Sequence, residues 1–332
     1  MLNNKTILIT GGTGSFGKQF TWRIFSEFNP KKIIIYSRDE YKQYIMRQQF
    51  AKYYKRLRFF IGDVRDKERL HRAFSEVDIV IHAAALKHVP IAEYNPIEAI
   101  KTNIHGAENI IEVALDRRVQ KVVALSSDKA VNPINLYGAT KLVSDKLFVS
   151  ANAYKGKKGT IFSVVRYGNV AGSRGSVIPF FKSLADKGEY VFPITDFRMT
   201  RFYITLDQGV DLVFRALNEA KGGEIYIAKI PSFKVIDLAK AIYKQAKLKE
   251  IGIRAGEKLH EVMITEEDSR LTYDYKDHYI IYPNFDWADT RKYLKKGAKH
   301  VTEGFRYSSD SNEQWLDHTE LRKRLKKINI SL

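Results

Sequence analysis

No cysteine occurs among the 332 residues. Its absence excludes disulfides, thiolate catalysis and cysteine-ligated metal, and no metal site is expected. No apolar run approaches the roughly 20 residues of a membrane-spanning helix. The opening stretch MLNNKTILIT passes straight into a strand without an export signal. A cytoplasmic protein with no membrane span is therefore the expectation. Internal repeats, low-complexity tracts and flexible linkers are also missing, so one or two closely joined domains should share the chain. Acidic residues are the scarcer charge, 38 against 56 Lys and Arg, for a net charge of +18. Such an excess would favour nucleic acid or an anionic membrane. The lysines are scattered, however, and anionic small ligands explain the charge without a nucleic-acid partner. The basic stretch 320–327 reads as a solvated terminal helix.

With hydrophobic residues at 44%, the chain is globular in composition. Its first half alternates apolar strands (6–10, 33–36, 57–61, 79–82, 122–125, 161–166) with helical stretches (15–28, 40–53, 67–74, 96–117, 137–154). That alternation predicts an α/β fold, a Rossmann-type doubly wound parallel sheet. After Arg166 the rhythm breaks into the loop GNVAGSRGS, a helix over 178–187, a helix over 207–220 and a strand over 224–228. Short helices and aromatic, charged stretches follow, the pattern of a smaller, interleaved C-terminal substrate lobe. Residues 1–168 and 203–228 are expected to form the dinucleotide-binding domain, and 169–202 and 229–332 the substrate lobe.

Gly11, Thr13, Gly14, Ser15, Phe16 and Gly17 lie between the first strand and the first helix, with the glycines spaced G-x-x-G-x-x-G. Such a turn brings backbone amides to a pyrophosphate at a helix N-terminus. Where the second strand ends, Ser37 and Arg38 suit the 2′-phosphate of NADP, while Asp39 keeps NAD open. Asp63 and Val64 are candidates for the adenine, with helix capping as the alternative for Asp63. Ala83 and Ala84, small residues after the fourth strand, let a flat ring lie against backbone. His82 reads as a buried structural histidine.

Tyr137 and Lys141 share one face of a helix, where an ammonium lowers the pKa of a phenol. Ser126-Ser127-Asp128-Lys129 just upstream adds a further acid and base. Together with HAAALKHVPIAEYNP, RYGNVAGSRGSVIPFF, ITDFRMTRF, IRAGEKLHEVMI and FRYSSDSNEQW, these stretches resemble the extended short-chain dehydrogenase/reductase superfamily. Within it they resemble the inverting UDP-N-acetylglucosamine 4,6-dehydratases that start pseudaminic acid synthesis.

The resemblance implies transient oxidation at C4 by enzyme-held NADP, which acidifies the C5 hydrogen. Tyr137 would be the base toward the C4 hydroxyl, Lys141 would hold the nicotinamide ribose, and Ser127 would donate to the C4 oxygen. Lys129 would take the C5 proton, for which it needs a depressed pKa, and Asp128 would protonate the leaving C6 hydroxyl. Asn169, Arg174, Arg201, Arg254 and Glu257 fall in substrate-contacting segments, and Lys87 faces both sugar and cofactor. Relatives acting on dTDP-glucose carry Asp-Glu in place of Asp-Lys, and many retaining relatives carry methionine in place of Tyr137. Ser127 stands where threonine is common, and the hydroxyl survives. UDP-N-acetylglucosamine is the implied partner, with self-association into a homo-oligomer, a hexamer by resemblance. Alternatives are a retaining dehydratase, a UDP-sugar 4-epimerase, or a non-enzymatic NADP- or nucleic-acid-binding protein.

Overall fold

The computed structural model describes residues 1–156, 159–172, 177–285 and 294–328. Strands β1 (Thr6–Thr10), β2 (Lys32–Ser37), β3 (Leu57–Ile61), β4 (Ile79–His82), β5 (Lys121–Ser127) and β6 (Ile161–Tyr167) run parallel in the order 3-2-1-4-5-6. All five residues of β1 are buried, as expected for a parallel strand covered on both faces. Ile7 and Ile9 pack in one apolar cluster with Phe20 and Ile24 of α1 (Ser15–Glu27). Leu8, pointing the other way, packs in a second with Ile110 and Val113. One strand thus serves two cores, and the sheet is doubly wound.

The remaining crossover helices are α2 (Glu40–Gln49), α3 (Lys67–Ala73), α4 (Val89–Tyr94), α5 (Pro96–Ile100), α6 (Gly106–Asp116) and α7 (Leu136–Ser150). The helix expected over 96–117 is broken between α5 and α6 by a wide π-type turn at Lys101–His105. That turn carries Asn103, whose amide accepts from the Leu86 N–H (2.8 Å) and donates to the Leu86 carbonyl and to Thr140 Oγ1 (both 3.0 Å). One side chain pins the loop after β4 to α7.

Beyond β6 the sheet reaches further along the chain than the sequence rhythm suggests. Ile225–Ala228 adds a parallel strand, and His278–Ile281, Thr272–Asp274 and Lys299–His300 continue antiparallel, all within the range 203–300. Part of the stretch assigned to a substrate lobe therefore supplies the sheet edge. A third apolar cluster (Phe181, Phe192, Leu238, Leu321, Leu325) lies apart from the sheet's two. The basic tail forms the helix His318–Lys327, with Leu321 and Leu325 buried in that cluster. No described helix is long and apolar enough to cross a membrane.

Candidate active site

The C-terminal ends of β1, β2, β4, β5 and β6 open into one cavity of about 680 Å³. Parallel sheets with this strand order bind ligands there, where the order reverses. The turn after β1 forms its floor. Gly11 has a positive φ of +63°, and a Cβ there would stand 2.9 Å from the Ala83 carbonyl oxygen. At Gly17 a Cβ would meet the Gly12 carbonyl at 2.3 Å, so the glycines let backbone close on backbone. Gly14 caps α1 with no side-chain bond, which leaves the opening turn's amides for an anion. Thr13, Ser15, Phe16, Ala83, Ala84 and Lys87 line the same space. The glycine cradle and the uncapped helix fit a dinucleotide pyrophosphate.

At the adenosine end, Ser37, Arg38, Asp63 and Val64 also line the cavity. Asp39 accepts from the Lys42 N–H at 2.9 Å as the α2 cap and pairs with the Lys42 ammonium at 2.6 Å. Asp63 is 3.5 Å from Arg38 and 2.7 Å from Arg65. Burial works against its charge, but these guanidiniums hold its carboxyl below the usual range. The cap of α3 is Asp66, not Asp63.

At the reacting end, β5 stops at Ser127 and a 3₁₀ turn carries Asp128 and Lys129. Asn135 caps α7 by accepting from the Gly138 N–H at 2.7 Å. A Cβ on Gly138 would lie 2.2 Å from the Lys129 carbonyl oxygen, so α7 packs directly against that turn. This close approach gathers Ser127, Asp128, Lys129, Tyr137 and Lys141 in one wall of the cavity. Ser127 Oγ accepts from the Lys129 N–H at 3.0 Å, and Ser127 and Tyr137 line the same cavity. Burial raises the Tyr137 pKa, opposed first by Ser127 and then by the charge of Lys129. The cation acting most on the phenol is thus Lys129, where the spacing pointed to Lys141.

Lys129 Nζ lies 3.3 Å from Asp128 Oδ1 and 3.2 Å from Glu261 Oε1. Burial opposes its charge, yet the two carboxylates outweigh burial and raise its pKa. The depressed pKa expected for Lys129 is therefore reversed: its closest partners are anions. Burial raises the Asp128 carboxyl, whereas Lys129, Arg201 and Lys258 overcome burial to hold Glu261 below its usual range. Lys141 is lowered by burial, partly offset by Asp145. His82 is buried, bonds Thr10 Oγ1 through Nδ1 at 2.9 Å, and is pushed down to about 3 by burial and Lys141, in keeping with a structural role.

Among the substrate candidates, Asn169 lines the cavity with a buried Oδ1 that has no partner. Arg201 stands behind the wall; its guanidinium donates to the carbonyls of Thr200, Lys258 and Leu259. Arg254 is exposed, and Glu257 is half-buried with an unpartnered Oε2. Their turn is tied to the start of α7, because Asn135 Nδ2 donates to the Gly256 carbonyl at 2.7 Å. Arg174 lies outside the described residues. Glu261 and Asn103 are the groups that sequence reasoning passed over. Glu261 sits in the IRAGEKLHEVMI motif, four residues after Glu257.

Residues 7–283 match the family model for polysaccharide biosynthesis proteins. The chain belongs to that family. Within the family, it is 57% identical, over 97% of both chains, to a Campylobacter jejuni protein named UDP-N-acetylglucosamine 4,6-dehydratase (inverting). This agrees with the resemblance drawn from the motifs. It is 40% identical to a Rickettsia canadensis protein named UDP-glucose 4-epimerase, over 99% of this chain and 97% of that one. The crystal structure of Pen from Bacillus thuringiensis is 37% identical and covers 100% of both chains at a TM-score of 0.90.

Proposed function

We propose that the protein is an inverting UDP-N-acetylglucosamine 4,6-dehydratase, a hydro-lyase that retains NADP. Its product would be UDP-2-acetamido-2,6-dideoxy-β-L-arabino-hexos-4-ulose, the first intermediate toward pseudaminic acid. One observation carries the reading: a buried Asp128 paired with a half-buried Lys129, 3.3 Å apart, shares a cavity wall with Tyr137, Ser127 and Lys141. Oxidation and reduction at C4 call only for the phenol, the hydroxyl and one lysine. A further acid and base are what loss of water across C5–C6 requires.

Tyr137, once ionised to the phenolate with the charge of Lys129 opposing burial, accepts the C4 hydroxyl proton while Ser127 steadies that oxygen. Ala83, Ala84 and Lys141 would hold a nicotinamide in the cavity, and that group would supply reversible hydride storage. The C4 ketone acidifies C5, and Lys129, once it has shed a proton, removes the C5 hydrogen as a proton. Asp128, whose carboxyl burial raises, takes the proton that Lys129 sheds and passes it to the C6 hydroxyl, which leaves as water. Reprotonation of C5 from the opposite face inverts that centre. NADP over NAD is supported by Arg38 and by the engagement of Asp39 with α2.

The Rickettsia relative's name favours a second reading, a UDP-sugar 4-epimerase. Proton NMR of a reaction with UDP-N-acetylglucosamine in heavy water, with no added reductant, separates the two. A 4-keto-6-deoxy product with deuterium at C5 and L-arabino configuration is expected. Retention of D configuration sinks the inversion, and C4 epimerisation without loss of water replaces the dehydratase by the epimerase.

A further inference from the structure

Glu261 immediately precedes the strand Val262–Ile264, 132 positions from Lys129 in sequence. It is 2% exposed, and its backbone is held from both sides. Its N–H donates to Ser309 Oγ at 2.9 Å, and its carbonyl accepts from the Ser309 N–H at 2.8 Å. The side chain so fixed presents Oε1 to Lys129 Nζ at 3.2 Å and to Arg201 Nε at 3.6 Å, while Oε2 is buried without a partner. A carboxylate buried so deeply is costly unless paired. Its shorter contact is with Lys129, and Arg201, which also donates to three backbone carbonyls, is the second cation that it offsets.

We propose that Glu261 is a positioning residue: it anchors the Lys129 ammonium against the C-terminal part of the chain and sets the pH at which this amine becomes a base. The charged and titratable groups facing Lys129 are Asp128, Glu261, Arg201 and Tyr137, and the charge of Lys129 also acts on Lys87 and Lys258. Of these, Asp128 and Glu261 are the carboxylates within 3.5 Å of its nitrogen among the described residues. Asp128 follows Ser127 directly and moves with the Lys129 turn. Glu261 is the fixed counter-charge from a distant segment. The inference rests on the proposed role of Lys129 as the C5 base.

Glu261→Gln keeps the shape of the side chain and removes its charge. Acetic anhydride labelling of Lys129, followed by peptide mass spectrometry across pH, reads the amine directly and needs no substrate. The labelling midpoint should fall by about 1–3 pH units in the variant. The rising limb of the pH–rate profile for dehydration, read with C5 deuterium incorporation, should move down with it while bound NADP is retained. Coincident labelling midpoints in wild type and variant overturn the proposal. If the wild type dehydrates nothing at any pH, the proposed reaction fails, and the labelling result still judges Glu261. Should Glu261→Gln fail to fold by circular dichroism, Glu261→Asp substitutes for it. Withdrawing the carboxylate by one methylene should move the midpoint the same way by less, and an unmoved midpoint again overturns the assignment.

Discussion

Lys129 and Lys141 are two lysines in the wall of one cavity, and their surroundings drive them in opposite directions. Lys129 has carboxylate oxygens at 3.2 and 3.3 Å, and its charged form is favoured. Lys141 feels Asp145, one helical turn further on, but that carboxylate is already engaged. It accepts from Ser126 Oγ at 2.6 Å and lies 3.5 Å from Arg166. Burial then dominates, and the Lys141 ammonium loses its proton more readily than an exposed lysine. Desolvation acts on both, so the difference comes from how many anions each lysine has to itself. A lysine supplied with two anions must be relieved of a proton before it is a base. One that shares a single anion is suited to hold a neutral or weakly charged partner close.

The largest expected effect comes from emptying one of these positions. Lys129→Ala should cut dehydration by about 10²–10⁴-fold, the usual scale of a lost acid–base group, while cofactor stays bound. Product formation by NMR and bound NADP by absorbance after denaturation test both halves. A fully active variant would remove Lys129 from the reaction and leave its two carboxylates without a catalytic purpose.

The second effect concerns the anion that Lys141 shares. Asp145→Ala leaves Arg166 buried with Asp268 at 3.7 Å and the Met263 carbonyl at 2.9 Å as its remaining partners. Breaking a buried pair from one side costs about 3–5 kcal/mol, and these partners place the loss toward the lower end. Urea unfolding measures it through a lower midpoint at unchanged slope. A loss below about 1 kcal/mol, the scale of a surface pair, would mean that Asp145 is not the counter-charge of this cluster.

These clusters also mark where local sequence stops being informative. The glycine run after β1 and the four-residue interval from Tyr137 to Lys141 are legible because both are short-range. One is a turn that needs bare backbone, and the other is a helix face. Strands β1 to β6 are legible for a similar reason, since burial on both faces writes continuous apolar runs. Glu261 leaves no such trace. Its carboxylate meets Lys129 only after 132 residues of chain have folded, and the motif that holds it reads equally well as a nucleotide-contacting turn. Without that carboxylate the nearest charges to Lys129 in sequence order do not settle its proton, which is why the expected shift had the wrong sign. The π-type turn at Lys101–His105 was hidden likewise, because Asn103 looks like any polar residue inside a helix until Leu86 and Thr140 arrive beside it. The antiparallel edge was missed because His278–Ile281 is only four residues long and stands far from the alternating half.

His82 extends the series to a base with no carboxylate among the groups that shift it. Burial and the charge of Lys141 push it down to about 3, from an ordinary 6.5. Its Nδ1 bonds Thr10 Oγ1, and its ring lies 5.6 Å from that of Phe148, so the folded state holds it neutral. The unfolded chain takes up a proton near pH 6.5, and the folded one does not until about pH 3. His82 therefore contributes its full stability above pH 6.5, and that contribution drains away as pH falls toward 3. Within the window the slope is about 1.4 kcal/mol per pH unit for one proton. His82→Gln costs some packing at every pH but should flatten this part of the acid limb in urea unfolding between pH 7 and 4. The carboxylates titrate in both proteins, so the difference between the two curves isolates the histidine. Parallel curves would mean that His82 is protonated in the folded protein. Some anion would then have to serve it as Asp128 and Glu261 serve Lys129, and the ranking of these three bases by their carboxylates would fail.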